Sequence, residues 1–266
     1  MINYNRKAIA FDLDGTLLNS KKIISKKSID VIKLLHEKGH KVIIATARPL
    51  RTIQKYITEL NIPVSLILQN GACIQTENKQ MIINYIDKNV FIEICNFVQE
   101  NDNTCSISIM NNDLWYTLND FDYLKYYNVN IGPQKINKSE FITLDCTKIL
   151  VNNCNIYNTM KNRYKNIVNL VLTDNESLIQ IMNINSSKEN ALKNVLSDLN
   201  ISEKDLICFG DDHNDIGMFN LSGASVAMGN SILELKKISK YVTDTNDQDG
   251  ISNFFNSDEW LKFEKT

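Results

Sequence analysis

Lys7-Ala8-Ile9-Ala10-Phe11-Asp12-Leu13-Asp14-Gly15-Thr16 decides how the rest of the chain is read. Residues 7–11 are a short, mostly apolar run near the N-terminus, the pattern of a strand buried on both faces. The run ends abruptly in Asp12. Side chains two apart on an extended chain point the same way, so Asp12 and Asp14 face one pocket while Leu13 turns into the core. Gly15 lets the chain turn sharply. Two neighbouring carboxylates repel unless a cation joins them, so a Mg²⁺ is expected. A plain Asp-Gly turn is the bland alternative, but D-x-D-G-T directly after an apolar strand favours chemistry.

Moving outward, residues 25–38 carry Ile29, Ile32, Leu34 and Leu35 at helical spacing, and Gly39 follows as a stop. A second buried strand spans 41–45 and runs into Thr46. Pro49 opens a helix to about Leu60, a third strand covers 64–68, and Asn70-Gly71 reads as a turn. This β-α-β-α-β order predicts a parallel sheet covered by helices. The same grammar returns late in the chain. A helix is expected over 187–199, a strand over 206–209 ending at Gly210-Asp211, a helix over 215–222, a strand over 225–228, a helix over 233–238 and a last strand over 241–243.

The segment between is different. After a helix near 90–100, the runs 105–110, 114–118, 148–151, 169–173 and 178–182 alternate in polarity, which predicts a sheet with one exposed face. The fold expected is α/β: a doubly wound, Rossmann-like parallel-sheet core from residues 1–82 and 184–266, with an inserted α+β cap over 83–183.

Composition narrows the function. The 266 residues carry a formal net charge of -2, with 43% hydrophobic and 23% charged residues. That balance suits an ordinary globular protein and favours neither nucleic acid nor an anionic membrane as partner. No apolar run approaches the roughly 20 residues of a membrane helix, and no signal peptide is seen, so a cytoplasmic location is expected. The 6 Cys, at 73, 95, 105, 146, 154 and 208, form no C-x-x-C pair and read as reduced structural thiols. The abundance of Asn, Lys and Ile reads as compositional bias.

Four elements carry chemistry. The first is Asp12 with Asp14. The second is Thr46 in Ala45-Thr46-Ala47-Arg48, whose hydroxyl at a strand end suits a phosphoryl oxygen, although Thr at strand ends is usually structural. Arg48 stays open between a phosphate contact and an ion pair. The third is Lys188, a cation at a helix start against the macrodipole, which suits an anion clamp, although alone it reads as a solvated lysine. The fourth is Gly210-Asp211-Asp212-His213-Asn214-Asp215. Asp211 suits an oxygen ligand to Mg²⁺, with Asp215 supporting from behind. Helix capping explains one or two of these acids, not the whole run. His213 reads as exposed.

In this order the four elements resemble the haloacid dehalogenase (HAD) superfamily of phosphatases. Asn70-Gly71-Ala72, Val226-Ala227-Met228-Gly229-Asn230 and Asp249-Gly250-Ile251 resemble its Cof-type branch, as does the position of the insertion. The resemblance covers nearly the whole chain, closely in the core and loosely in the cap. It implies a Mg²⁺-dependent phosphomonoester hydrolase acting on a small phosphorylated metabolite, a sugar phosphate by preference. Asp12 would attack phosphorus to form an aspartyl-phosphate. Asp14 would protonate the leaving oxygen and then activate water. Thr46, Ala47, Lys188 and Asn214 would surround the phosphoryl group. Mg²⁺ would be held by Asp12, the Asp14 backbone carbonyl and Asp211. Asn214 and Asp215 would orient Lys188 and metal-bound water. Arg48, Asn70 and Gly71 are candidate substrate contacts. The cap would exclude bulk water and meet the leaving group, with Trp115, Tyr116, Tyr123 and Lys148 as candidate lining.

Two departures are visible: Glu189 follows Lys188, and Ala47 follows Thr46, where this family commonly has Gly. Glu189 is expected to face solvent. A phosphomutase or phosphotransferase with the same intermediate is the main alternative. A non-catalytic phosphate-binding regulator would require loss of a key group, yet Asp12, Asp14, Lys188 and Asp211 are all present. A dehalogenase is disfavoured, because a second acid at position 14 suits an alkoxide leaving group.

Overall fold

A computed structural model describes residues 6–120, 122–123, 132–152, 155–173 and 177–265. Strand β1 (Ala8–Asp12) is buried along its whole length. Helix α1 (Lys26–Glu37) follows, capped by Ser25, whose side chain accepts the Ser28 N–H. It turns Ile29, Ile32 and Leu35 inward. Next come β2 (Lys41–Ala45), α2 (Leu50–Leu60) and β3 (Ser65–Leu68), as the apolar runs predict. Two short strands not foreseen, β4 (Cys73–Gln75) and β5 (Met81–Ile83), then extend the sheet edge.

By internal contacts the chain divides into two units, Ile83–Ser186 and the segments on either side of it. The inserted unit opens with α3 (Lys88–Asn101). It continues with β6 (Ile107–Asn111), β7 (Leu114–Thr117), β8 (Gln134–Lys135), α4 (Lys138–Phe141), β9 (Lys148–Asn152), α5 (Tyr157–Tyr164), β10 (Val168–Thr173) and β11 (Leu178–Asn183). Among the described residues its six strands stand in the order β10-β11-β9-β6-β7-β8. Alternate residues Ile107, Ile109, Ile149, Val151, Ile179 and Ile181 pack with Phe91, Ile94, Val98, Met160 and Tyr164 of the helices. The alternate set on β6, β9 and β11 is also buried rather than exposed, and it mixes Met110, Leu150 and Leu178 with Ser108, Lys148 and Gln180. The alternation therefore marks a change of chemistry between the faces more than a change of burial.

The chain re-enters the first unit at α6 (Lys188–Leu199), then β12 (Leu206–Gly210), α7 (Ile216–Leu221), β13 (Ala224–Ala227), α8 (Leu233–Ile238) and β14 (Tyr241–Val242). Two helices, α9 (Gly250–Phe255) and α10 (Asp258–Lys265), close the described chain. The sheet order is β14-β13-β12-β1-β2-β3-β4-β5. β1 pairs in parallel with both β12 and β2, with Phe11 opposite Phe209 and Asp12 opposite Ala45. From β1 the strands run outward to β2 and β3; from β12 they run outward the other way. The switch point thus falls between β1 and β12. Ala191, Leu192, Val195 and Leu196 of α6 pack on Ala10, Ile43 and Cys208. Cys73, Cys95, Cys105, Cys146 and Cys208 are buried free thiols; Cys154 lies outside the described residues.

Candidate active site

The strand order brings residues from distant parts of the chain to one edge. Asp12 ends β1, Thr46 follows β2 and Asp211 follows β12, all at carboxyl ends of adjacent parallel strands. Lys188 is the first residue of α6, behind a Ser187 cap that accepts the Asn190 N–H. Its side chain is 1% exposed, and Nζ donates to Asp12 Oδ1 (2.5 Å) and Asp215 Oδ1 (2.7 Å). Asp215 is fully buried. Its other oxygen accepts the backbone N–H groups of Asp211 (2.9 Å) and Asp212 (3.2 Å). Both Asp215 oxygens are therefore occupied, which suits a residue that aims Lys188 and shapes the loop.

Asp12, Asp211 and Asp215 each bring a carboxylate oxygen within 4.8 Å of the others. One ammonium faces three acids. Burial pushes the Asp12 carboxyl well above its usual range; Lys188 pulls it down, but Asp215 and Asp211 push it further up. Burial also lifts Asp211 to about 6, against its hydrogen bond from Thr16 and with help from Asp215 and Asp212. That bond, Thr16 Oγ1 to Asp211 Oδ1, is 2.8 Å. For Lys188, burial opposes the charge, but the attraction of Asp12 and Asp215 prevails and keeps it protonated. Oδ2 of Asp12 and Oδ2 of Asp211 carry no hydrogen bond among the described residues. Excess acid charge, with Asp211 Oδ2 unengaged beside Asp12, fits a hard divalent cation such as Mg²⁺.

Asp14 stands apart from this cluster. Arg48 grips its carboxylate with Nε (2.5 Å) and Nη2 (2.6 Å), and Lys22 Nζ adds a third contact at 2.7 Å. Burial would raise the Asp14 carboxyl, but hydrogen bonds and charge from Arg48 and Lys22 hold it below the usual carboxylate range. Arg48 is thus seated on Asp14. Its backbone N–H donates to Thr46 Oγ1 (3.1 Å), which leaves the Thr46 O–H free to donate elsewhere. Ala47 lies between them, half-buried.

Asn70 donates its N–H to the Thr46 carbonyl, and its side-chain oxygen accepts from Asn214 Nδ2 (3.1 Å). Asn214 therefore meets Asn70, where an interaction with Lys188 is expected from the resemblance. His213 is exposed and sits 3.4 Å from Glu234. Sequence reading assigned no role to Thr16 or Lys22. Thr16 is visible in the D-x-D-G-T run. Lys22 reaches Asp14 only because a tight turn, held by the Tyr56 hydroxyl on the Lys22 carbonyl, folds it back.

Comparison with known proteins settles the family: the family of haloacid dehalogenase-like hydrolases matches residues 9–255. The chain belongs to the haloacid dehalogenase-like hydrolases. It is 26% identical over 260 residues to the 5-amino-6-(5-phospho-D-ribitylamino)uracil phosphatase YitU of Bacillus subtilis, covering 92% of this chain and 95% of that one. A haloacid dehalogenase-like hydrolase of Bacteroides thetaiotaomicron shares 25% identity at a TM-score of 0.81, over 95% and 99% of the two chains. A sugar phosphatase of HAD subclass IIB shares the fold at a TM-score of 0.80 and 20% identity, over 97% and 99%. This hydrolase is a phosphatase of the Cof type, with the inserted α+β domain of that branch. No helix among its described residues is long and apolar enough to cross a membrane.

Proposed function

We propose that this phosphatase hydrolyses a small phosphomonoester, with a sugar or polyol leaving group, through an aspartyl-phosphate on Asp12. The observation that carries the reading is the arrangement of Asp12 itself. One oxygen is pinned by a buried lysine and the other is unengaged at the end of the central strand. The ribityl phosphate named for the YitU relative supports a polyhydroxylated leaving group.

On this reading Asp12 Oδ2 attacks phosphorus as the bond from phosphorus to the leaving oxygen breaks, and Asp14 supplies a proton to that oxygen. Water then attacks the aspartyl-phosphate, Asp14 takes a proton from it, and Asp12 is released with inorganic phosphate. Lys188 and the Thr46 hydroxyl hold the phosphoryl oxygens, while Asp215 keeps Lys188 aimed. As placed, Asp14 is an ionised base; acting as an acid requires Arg48 or Lys22 to loosen as substrate enters. Asp12, Asp211 and the Asp14 backbone carbonyl would hold Mg²⁺, which when bound neutralises charge developing on the phosphoryl oxygens. The inserted unit, residues 83–186, is the part of the chain we assign to the choice of leaving group.

Phosphate release across a panel of phosphorylated metabolites, with Asp12→Asn and EDTA as controls, tests this. Selective release that both controls abolish is expected. Hydrolysis at the normal rate by folded Asp12→Asn protein would refute the nucleophile, and full activity in verified metal-free protein would refute the metal.

A further inference from the structure

The turn after β3 holds an unusual conformation. Gln69 and Asn70 are consecutive non-glycine residues in the left-handed region, at φ of 52° and 58°. L-residues disfavour that region, and such backbone persists where its surroundings over-determine it. Here they do. The Gln69 N–H donates to the Arg48 carbonyl (3.1 Å) and the Asn70 N–H to the Thr46 carbonyl (2.9 Å). Gly71, at φ 91°, lies so close to the α6 cap that a Cβ would sit 2.2 Å from the Ser187 carbonyl oxygen. Asn70 is thus tied to the end of β2, to Asn214 after β12 and, through Gly71, to the residue before Lys188.

Within this frame Asn70 is 4% exposed, yet its Nδ2 has no hydrogen-bond partner among the described residues. The Asn214 amide donates to Asn70, so the facing atom is oxygen, and the NH₂ group points away from Asn214. A buried donor without an acceptor costs stability, so its retention calls for a reason. Two of the residues it is tied to, Thr46 and Asn214, are among those assigned to the phosphoryl group, and Ser187, against Gly71, directly precedes a third, Lys188.

We propose that Asn70 Nδ2 is a catalytic donor to an oxygen of the transferring phosphoryl group, beside the Thr46 hydroxyl and the Lys188 ammonium. The inference rests on the function proposed above. A transferring phosphoryl group spreads its charge over three equatorial oxygens, and donors fixed in advance stabilise that charge without reorganising. The strained turn is what fixes this donor.

Two substitutions isolate it. Asn70→Asp keeps the volume, the tolerance of left-handed φ and the acceptor for Asn214; it loses the donor and adds a carboxylate, so Asn70→Gly is the control for charge. Asn70→Gly removes the amide, introduces no charge and relieves the backbone. The variants are measured for kcat, KM, inhibition by inorganic phosphate and Tm, with Asn214→Ala and Asp12→Asn alongside. Both Asn70 variants are expected to lose about 10-fold to 100-fold in kcat/KM and to need about 10-fold more phosphate for inhibition, with Tm within a few degrees. Wild-type phosphate inhibition in Asn70→Gly would overturn the inference. So would an equal loss in Asn214→Ala with a matching fall in Tm, since that marks a purely structural turn. Turnover by Asp12→Asn would instead defeat the function on which the inference rests.

Discussion

Gly15→Ala should separate chemistry from stability in this protein. Gly15 has φ 81°, and a Cβ built there lies 2.2 Å from Asp211 Oδ2, 2.7 Å from its Cγ and 2.9 Å from Oδ1. All three atoms of the carboxylate are struck, so Asp211 must retreat by about 1 Å to restore ordinary contact. The move strains or breaks its 2.8 Å bond from Thr16 and disturbs its placement in the acid cluster with Asp12 and Asp215. A displacement of about 1 Å at a reacting centre costs about 100-fold in rate, and a shifted ligand weakens metal binding by about 10-fold. The left-handed backbone adds only about 1–2 kcal/mol against alanine, which lowers Tm by about 2–8 °C in a chain this long. The assay is phosphate release against Mg²⁺ concentration, paired with thermal unfolding of the same preparation. The expected result is a large loss of turnover and a raised Mg²⁺ requirement in a folded protein. Turnover within twofold of wild type at the same Mg²⁺ half-saturation would show that Asp211 can move freely, and that its placement beside Gly15 does not matter to the reaction.

Lys188→Met should abolish turnover and also lower Tm by about 10 °C. It leaves Asp12 and Asp215 buried without their cation, a loss of about 3–5 kcal/mol; an unchanged Tm would refute the charge balance drawn for the site. A second expectation concerns pH and lies away from the site. His40 Nδ1 accepts the Lys7 N–H (3.2 Å) and its Nε2 donates to Glu264 Oε1 (3.0 Å). Burial lowers the His40 pKa below its ordinary 6.5 despite Glu264. Burial opposes ionisation of Glu264, but hydrogen bonds from His40 and Lys38 hold it below 4.5. In both cases the unfolded chain binds the proton more readily, so stability is full above about pH 6.5 and falls as acid is added, first through His40 and then through Glu264. The Tm gap between wild type and His40→Gln should therefore narrow between about pH 7.5 and about pH 5; a constant gap would contradict the neutral, buried histidine.

The parts of this fold that could be read in the residues are those where one rule dominates. Strands buried on both faces must be continuously apolar, so β1, β2, β3 and β12 stand out, and each site residue placed at a strand end follows from them. Asp12, Thr46 and Asp211 were legible for that reason. β4 was not, being only three residues long, and β5 was not, since Met81 and Ile82 are largely exposed on an edge strand and carry no clear pattern. Helices α9 and α10 were missed because their anchors are distant: Phe254, Phe255 and Trp260 stack with Phe11, Phe209 and His40. The clamp on Asp14 is of the same kind. Arg48 is 34 residues away and Lys22 depends on a turn, so nothing local announces that two cations meet one acid.

The departure at Glu189 shows how such a site tolerates change beside a catalytic lysine. Lys188 needs a position at the start of α6 and a buried, acidic surrounding; it does not need a glycine after it. Glu189 keeps out of that surrounding by pairing with Lys193 one turn on, at 2.6 Å. An acid in the first turn suits the positive end of the helix, unlike the lysine before it. The room for its stem comes from across the packing: a Cβ at Gly217 would approach within 3.0 Å of Glu189 Cβ and of its Oε2. Glycine at 217 therefore supplies on α7 the space that glycine at 189 would have left on α6. The charge seen by Asp12 is set by Lys188, Asp211 and Asp215, and the Glu189 carboxylate, half-exposed and already paired, stands outside that balance.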